Sequence, residues 1–395
     1  MRRLRLARFA AAVGVLAAGV SAQAPQKAKL PKPRQLDSDL TWRRDPATGE
    51  LNGTLPAGSA PGGAPSAAGS ISVSTEIVPV TCSVTDAMGA AVRGLARVDF
   101  EVLDDGVPQP IAYFNASTEA AGVALVMDAS PSVLRDTDEM RTAARALVDS
   151  LSLSDQIAVV DFSAHTYLQL PLSSDWGLIR AEVARADARQ LLADTGGSNI
   201  YQSLFLVARE VFAGRKGRKA IVLLTDGQDT GLGLTLDPAT SAPRQGWPAH
   251  RLTFEDVARA LAAADIQVFA VSTESRPKIM TPTWLAEHSS STLLTPAARR
   301  EEIPAYTLYL AEMVRRTGGQ LYFIREANTL ADTFQQIALK IRAEYTLGFS
   351  PMGAGGAGGA AVRSGWHQLS VKVIGHGDPT VVHRTAYYVP GASQR

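Results

Sequence analysis

The sequence predicts an α/β fold, a doubly wound and mostly parallel sheet, joined to a discontinuous β domain made from the segments on either side of it. Three observations lead there. From residue 121 to about 343, short apolar runs alternate with stretches of helical period, as in a parallel sheet covered on both faces. Residues 71–118 and 344–395 read as strands and turns alone, and neither piece is long enough to build much core by itself. Finally, acids and hydroxyls cluster at the carboxyl ends of the predicted strands, where open α/β sheets bind their ligands.

Taken in order, residues 1–22 read as an export signal. Arg2, Arg3, Arg5 and Arg8 precede an apolar run of twelve residues, Phe9 to Val20, and Val20-Ser21-Ala22 offers a small-residue cleavage site. Twelve apolar residues are short for a bilayer, so no stable membrane span is expected after cleavage, and the destination is secreted or periplasmic. Residues 23–70, Pro, Gly, Ala and Ser rich and ending in "LPAGSAPGGAPSAAGS", show no hydrophobic period and are read as a disordered linker. In 71–118, "ISVSTEIVPVTCSVTD" and "DFEVLDDGVPQPIAYFNAS" are β-branched runs broken by turn residues, hence hairpins.

The α/β domain spans 119–343. Val123 to Met127 is a buried strand. A helix over 136–151 follows, with Met140, Ala144, Leu147, Val148 and Leu151 at helical spacing. "QIAVVDFS" is the next strand and "TYLQL" a short edge strand. Helices start near Trp176 and Asn199, and "KAIVLLTD" is the most strongly buried-looking strand. Thr253 with Asp256 three residues on forms a capping box for the next helix, which leads to the strand "IQVFAVS". The helix "AYTLYLAEMVRRTGG" ends on a Gly pair suited to a C-cap, "QLYF" is a short strand, and the last helix covers 328–343. Beyond it, His367, Leu369, Val371 and Val373 alternate with Gln368, Ser370 and Lys372 as in a half-buried strand.

With 39 basic and 38 acidic residues the formal charge is +1, and cleavage of the Arg-rich leader turns it slightly negative. Such a balance excludes nonspecific nucleic-acid binding, which needs a basic face. Cys82 is the one cysteine, so no internal disulfide exists, and its strand-like surroundings make it a buried apolar thiol. No feature of the sequence sets an oligomeric state.

Three loops leave strand ends carrying hard oxygen donors. The first holds Asp128, Ser130 and Ser132, the second ("DTGGSNIY") delivers Ser198, and the third ("LLTDGQD") carries Asp226. Two carboxylates and three hydroxyls suit Mg²⁺ or Mn²⁺ rather than zinc, which favours His and Cys. Each residue also has an ordinary role, as helix cap or turn former; their joint occurrence at these ends favours the metal.

These loops, "VMDASPS", "GGSNIY" and "LLTDGQD", resemble those of the von Willebrand factor type A (VWA) domain, whose metal-ion-dependent adhesion site (MIDAS) reads Asp-x-Ser-x-Ser, Thr and Asp. The resemblance covers about residues 119–343 and implies a Rossmann-like domain with Asp128, Ser130, Ser132, Ser198 and Asp226 as metal ligands. Ser198 stands where the family usually has Thr, and Pro131 where many members have Gly. The flanking "FEVLDDGVPQPIAYF" and "YTLGFSP … AYYVP" further resemble a bacterial exported subgroup. By resemblance, the function is metal-dependent protein binding or adhesion, the partner supplying an Asp or Glu carboxylate to the ion.

Two other classes of protein share parts of this pattern. A phosphoesterase built on Asp128 would need an acid two residues on, where Ser130 stands. No nucleophile elbow, His-Glu-x-x-His helix or P-loop occurs, so an enzyme is not expected. A metal-free structural module of the envelope would use the same loops only as caps. Trp247 and Trp284, in the long connections near the same rim, are either contact anchors or folded back onto the domain.

Overall fold

The computed structural model describes residues 30–37, 41–44, 51–54, 77–86, 90–116, 120–190, 197–237, 243–246, 251–281, 284, 293–294, 303–324, 330–342, 344–351, 363–377 and 379–389. The expected leader, residues 1–22, lies outside them. Within 23–70 the chain is not featureless. It forms β1 (Arg34–Gln35), β2 (Thr41–Arg44) and β3 (Leu51–Thr54), with β2 and β3 paired as an antiparallel ribbon. Leu36 is buried and the Trp42 ring meets Phe205 edge-on at 5.3 Å. The linker expectation is therefore corrected for these residues. Strands of two to four residues hold by docking onto a preformed surface and leave no hydrophobic period to read.

Before the α/β domain come β4 (Val78–Thr85), β5 (Phe100–Asp104), β6 (Val107–Gln109) and β7 (Ile111–Asn115). The domain itself opens with β8 (Gly122–Asp128), a short 3₁₀ turn and α1 (Thr137–Ser150). It continues through β9 (Gln156–Phe162), β10 (Thr166–Ser173), α2 (Trp176–Gln190) and α3 (Ile200–Leu206), the last running into a π turn at Val207–Val211. Then come β11 (Lys219–Thr225), the small β12 (Leu234–Leu236) and β13 (Pro243–Gln245), α4 (Phe254–Ala263) and β14 (Ile266–Ser272). The domain closes with α5 (Ala305–Thr317), β15 (Leu321–Phe323) and α6 (Leu330–Arg342).

The central sheet has seven strands in the order β1-β10-β9-β8-β11-β14-β15. From β9 to β15 every pairing is parallel, whereas β10 runs antiparallel to β9 and to β1. "TYLQL" is thus one strand in from the edge, the edge itself being the N-terminal β1. Both faces are covered. Ala124 and Val126 of β8 point into the core shared with α3, α4 and α5, while Val123, Leu125 and Met127 point into the core shared with α1, α2 and α6. That alternation between two apolar layers is why β8 and β11 read as continuous hydrophobic runs.

After α6 the chain forms β16 (Glu344–Phe349), β17 (Gly365–Val373), β18 (Thr380–His383) and β19 (Ala386–Val389). These join the strands preceding the α/β domain: one four-stranded sheet has the order β18-β4-β16-β7, the other β19-β17-β5-β6. Val80, Cys82, Phe100, Val102, Leu347, Phe349, Leu369 and Val371 fill the layer between them, and Cys82 is a fully buried cysteine outside any disulfide. The β sandwich rests on the α4–β14 and α5 side of the α/β domain. Arg384 donates to the carbonyls of Ala262 and Pro79, Thr81 bonds Asp265 at 2.9 Å, and Arg315 bonds Thr385 at 2.7 Å. At the end of α5, Gly318 takes the left-handed conformation with φ 77° and brings Arg384 so close that a Cβ would lie 2.3 Å from its backbone nitrogen.

Candidate metal centre

Adjacent parallel strands β8 and β11 end at the same level, so Asp128, Thr225 and Asp226 reach one rim. Asp128 is fully buried. Its Oδ1 accepts the Ser130 N–H at 2.9 Å, and its Oδ2 accepts the Thr225 hydroxyl at 2.6 Å and the Ser198 hydroxyl at 3.3 Å. The Ser130 and Ser132 hydroxyls lie 3.0 Å apart, Ser130 buried and Ser132 on the solvent side. Asp226 is also buried. Its Oδ1 accepts the Gln228 N–H at 2.9 Å, and its Oδ2 has no hydrogen-bond partner. Asp128 thus meets Ser130, Ser198 and Thr225 directly, Ser132 comes in through Ser130, and Asp226 lies within electrostatic reach.

Burial pushes the Asp128 carboxyl up to about 6; hydrogen bonds from Ser130 and Thr225 oppose this, and the charge of Asp226 adds to it. Two carboxylates in a dry pocket repel one another, and a lone carboxylate oxygen there carries a desolvation cost with nothing to offset it. A cation would remove both penalties. The donors are all oxygens, two of them carboxylates, which fits Mg²⁺ or Mn²⁺. The residues present therefore fit a divalent ion held by Asp128, Ser130, Ser132, Ser198 and Asp226.

Several residues besides the five candidate ligands shape this centre. Thr225, fully buried, also accepts the Gly227 N–H at 3.0 Å and so ties the turn after β11 to Asp128. Thr230 clamps the Ser198 loop: its Oγ1 accepts the Ser198 N–H at 2.9 Å, and its own N–H donates to the Ser198 carbonyl at 2.8 Å. Gly197, at φ 110°, has room for no Cβ because the Thr230 hydroxyl lies 2.4 Å from where one would stand. Asp229 accepts the N–H groups of Leu232 at 2.7 Å and Tyr201 at 3.3 Å, capping α3 from across the site, and burial raises its carboxyl to about 6. Thr225, Asp229 and Thr230 have no sequence signal beyond being polar residues at or after a strand end.

The N-terminal segment reaches the same loop. Asp37 faces His165 Nδ1 at 3.0 Å and accepts from the Gln202 side chain at 3.3 Å, while Asn199 bonds the Ser163 and Ala164 carbonyls at 2.9 and 2.6 Å. His165 is thus a half-exposed partner of Asp37. Trp284 is buried in the core beside α5, which settles its two readings in favour of packing; Trp247 lies outside the described residues. On the open side, burial and the charges of Glu274 and Asp226 raise the Tyr306 hydroxyl, which places an acid and a phenol beside the rim.

Residues 123–283 match the family model of the von Willebrand factor type A domain. Over these residues the chain is similar to a VWA domain, and its mostly parallel, doubly wound sheet is consistent with that fold. No curated protein matches the chain. Among solved structures, the conserved hypothetical protein BatB from Bacteroides thetaiotaomicron is 19% identical, covering 56% of this chain and 98% of its own, with a TM-score of 0.39. A von Willebrand factor type A protein from Catenulispora acidiphila is 14% identical over 80% of this chain and 75% of its own, with a TM-score of 0.36. Proximal thread matrix protein 1 from the mussel byssus, in a form with a zinc-occupied MIDAS motif, is 16% identical over 59% of this chain and 48% of its own, with a TM-score of 0.38. These likenesses are distant, and the assignment rests on the family match and the topology.

Proposed function

We propose that the chain is an exported binding protein whose VWA domain engages a protein partner through a Mg²⁺ or Mn²⁺ ion held by Asp128, Ser130, Ser132, Ser198 and Asp226. The observation that carries this reading is the buried, unpartnered Asp226 Oδ2 beside the buried Asp128 carboxylate. Ser132 lies on the solvent side of the cluster, so an ion there is reached from outside. Five protein oxygens leave a six-coordinate ion one position short, and an Asp or Glu carboxylate from a partner completes it. The bound ion supplies the electrostatic attraction, while Thr225, Thr230 and Asp229 hold the protein oxygens in place. No acid–base partner for turnover stands at the position two residues beyond Asp128, where Ser130 lies, so the site is read as binding rather than catalytic.

Export rests on the Arg-rich, apolar leader of residues 1–22, and among the described residues no helix is long and apolar enough to cross a membrane. The test is a peptide array displaying single Asp or Glu residues in neutral backgrounds, probed with the full chain in Mg²⁺, in Mn²⁺ and in EDTA. Binding that needs both the metal and the carboxylate, and is lost on replacing Asp or Glu by Asn or Gln, supports the reading. Binding indifferent to EDTA, or no binding to any carboxylate peptide, overturns it.

A further inference from the structure

The β domain holds a second converging set of ligand atoms, far in sequence from the first. Asp104 ends β5, Asp105 begins the tight turn to β6 with φ 47°, and His367 lies on the inward face of β17. One nitrogen, His367 Nδ1, lies 3.0 Å from Asp104 Oδ1 and 3.1 Å from Asp105 Oδ2, and one ligand atom from each of the three residues falls within 4.8 Å of the others. The other ring nitrogen, Nε2, lies 2.6 Å from the Arg363 carbonyl. A carbonyl only accepts, so Nε2 carries a proton. In the neutral ring Nδ1 then offers a lone pair, and one oxygen of each carboxylate converges on it.

A proton on Nδ1 would bind one carboxylate oxygen directly, with Arg363 at 3.2 Å serving Asp105 Oδ2. A divalent ion would bind all three atoms, since ligands at about 2.0–2.2 Å from a metal are themselves separated by roughly 3 Å or a little more. The outer atoms are already fixed. Asp104 Oδ2 accepts the Tyr387 hydroxyl at 2.9 Å, Asp105 Oδ1 accepts the Gln368 N–H at 2.8 Å, and the Nε2–H bond sets the ring orientation. Such outer partners are what hold metal ligands in geometry. Arg363 bonds Asp105 Oδ2 at 3.2 Å, but its side chain is mostly exposed and can swing aside. Asp105 is the exposed member, so water can complete the coordination from that side.

We propose that Asp104, Asp105 and His367 form a second metal site, selective for a borderline divalent ion of the zinc class because one of its three ligands is an imidazole nitrogen. Its place, where the β5–β6 turn, β17 and Tyr387 of β19 meet, makes it a clip across one sheet of the β domain. It is independent of the strand-end centre, whose all-oxygen set favours Mg²⁺.

The test uses the untagged full chain carrying Asp128→Ala, which silences the strand-end centre, titrated with Zn²⁺ by calorimetry and with Co²⁺ by visible absorption. Asp105→Asn and His367→Gln are added separately. Asn tolerates the left-handed turn position, so the first variant retains the fold. The site predicts one equivalent of Zn²⁺, a Co²⁺ band of nitrogen–oxygen ligation, and at least about a tenfold loss of affinity in each variant. Absence of Zn²⁺ and Co²⁺ binding in the folded Asp128→Ala chain would mean that a proton fills the gap and would overturn the proposal. Binding left unchanged by both added substitutions would overturn it equally.

Discussion

Replacing Thr225 by Val removes one oxygen from the strand-end centre and almost no volume. In the folded chain that oxygen donates to Asp128 Oδ2 at 2.6 Å and accepts the Gly227 N–H at 3.0 Å, in a place closed to water. A hydrogen bond to a charged group is worth about 1.5–3 kcal/mol, and a buried N–H left without a partner costs about 1–3 kcal/mol. The two losses share one atom, so they do not add fully, and a net destabilisation of about 3 kcal/mol is expected. Ser at 225 keeps the hydroxyl and loses only a methyl, at about 1 kcal/mol. Urea unfolding at pH 7.5 in chelator, with Asp128 ionised, measures both without help from metal. A Thr225→Val chain within about 0.5 kcal/mol of the parent, or less stable by no more than Thr225→Ser, would refute the claim that this hydroxyl supports the Asp128 carboxylate.

Other consequences can be checked in the same way. Burial pushes the Glu312 carboxyl upward, but Arg315 and Arg316 outweigh it and bring it down to about 2. Its contribution of about 3 kcal/mol is then complete above pH about 4.5 and lost as pH falls toward about 2, and Glu312→Gln should flatten the acid limb of a stability–pH curve. A Cβ at Gly319 would lie 1.9 Å from the Val268 carbonyl oxygen, so Gly319→Ala should cost about 3 kcal/mol in denaturant unfolding as α5 is forced off β14. Trp42→Ala strips the N-terminal ribbon of its contact with Phe205 and should lower stability by about 2 kcal/mol, seen as a lower melting temperature and faster proteolysis of the N-terminal segment.

The fold class was legible because the two-sided burial of β8, β11 and β14 forces continuous apolar runs, and because amphipathic helices separate them. Capping chemistry was legible too: Thr253 and Asp256 form the reciprocal box expected of them, and Gly318 ends α5. The strand-end oxygens stood out through their joint occurrence at three strand ends and through the resemblance of their loops to those of the VWA domain. What supports them did not. Thr225 and Thr230 act through hydrogen bonds whose partners are 97 and 32 residues away in the chain, and no local pattern encodes such a pairing. The N-terminal strands escaped for a different reason: Leu36 and Trp42 are isolated apolar residues in a polar, Pro-rich stretch, and they take their structure from the surface they dock on. His367 shared its inward face with Leu369 and Val371 in the alternation of β17, but its meeting with Asp104 depends on the pairing of β17 with β5.

The central claim is that the ends of β8 and β11 hold a divalent cation, and its most direct test is a thermal melt of the full chain, first stripped with EDTA, with and without millimolar Mg²⁺ or Mn²⁺. Because a ligand specific to the folded form stabilises it by mass action, the account predicts a rise in melting temperature that Asp128→Ala and Asp226→Ala each abolish. A melting temperature unmoved by either metal, or a rise that persists in both variants, would contradict it.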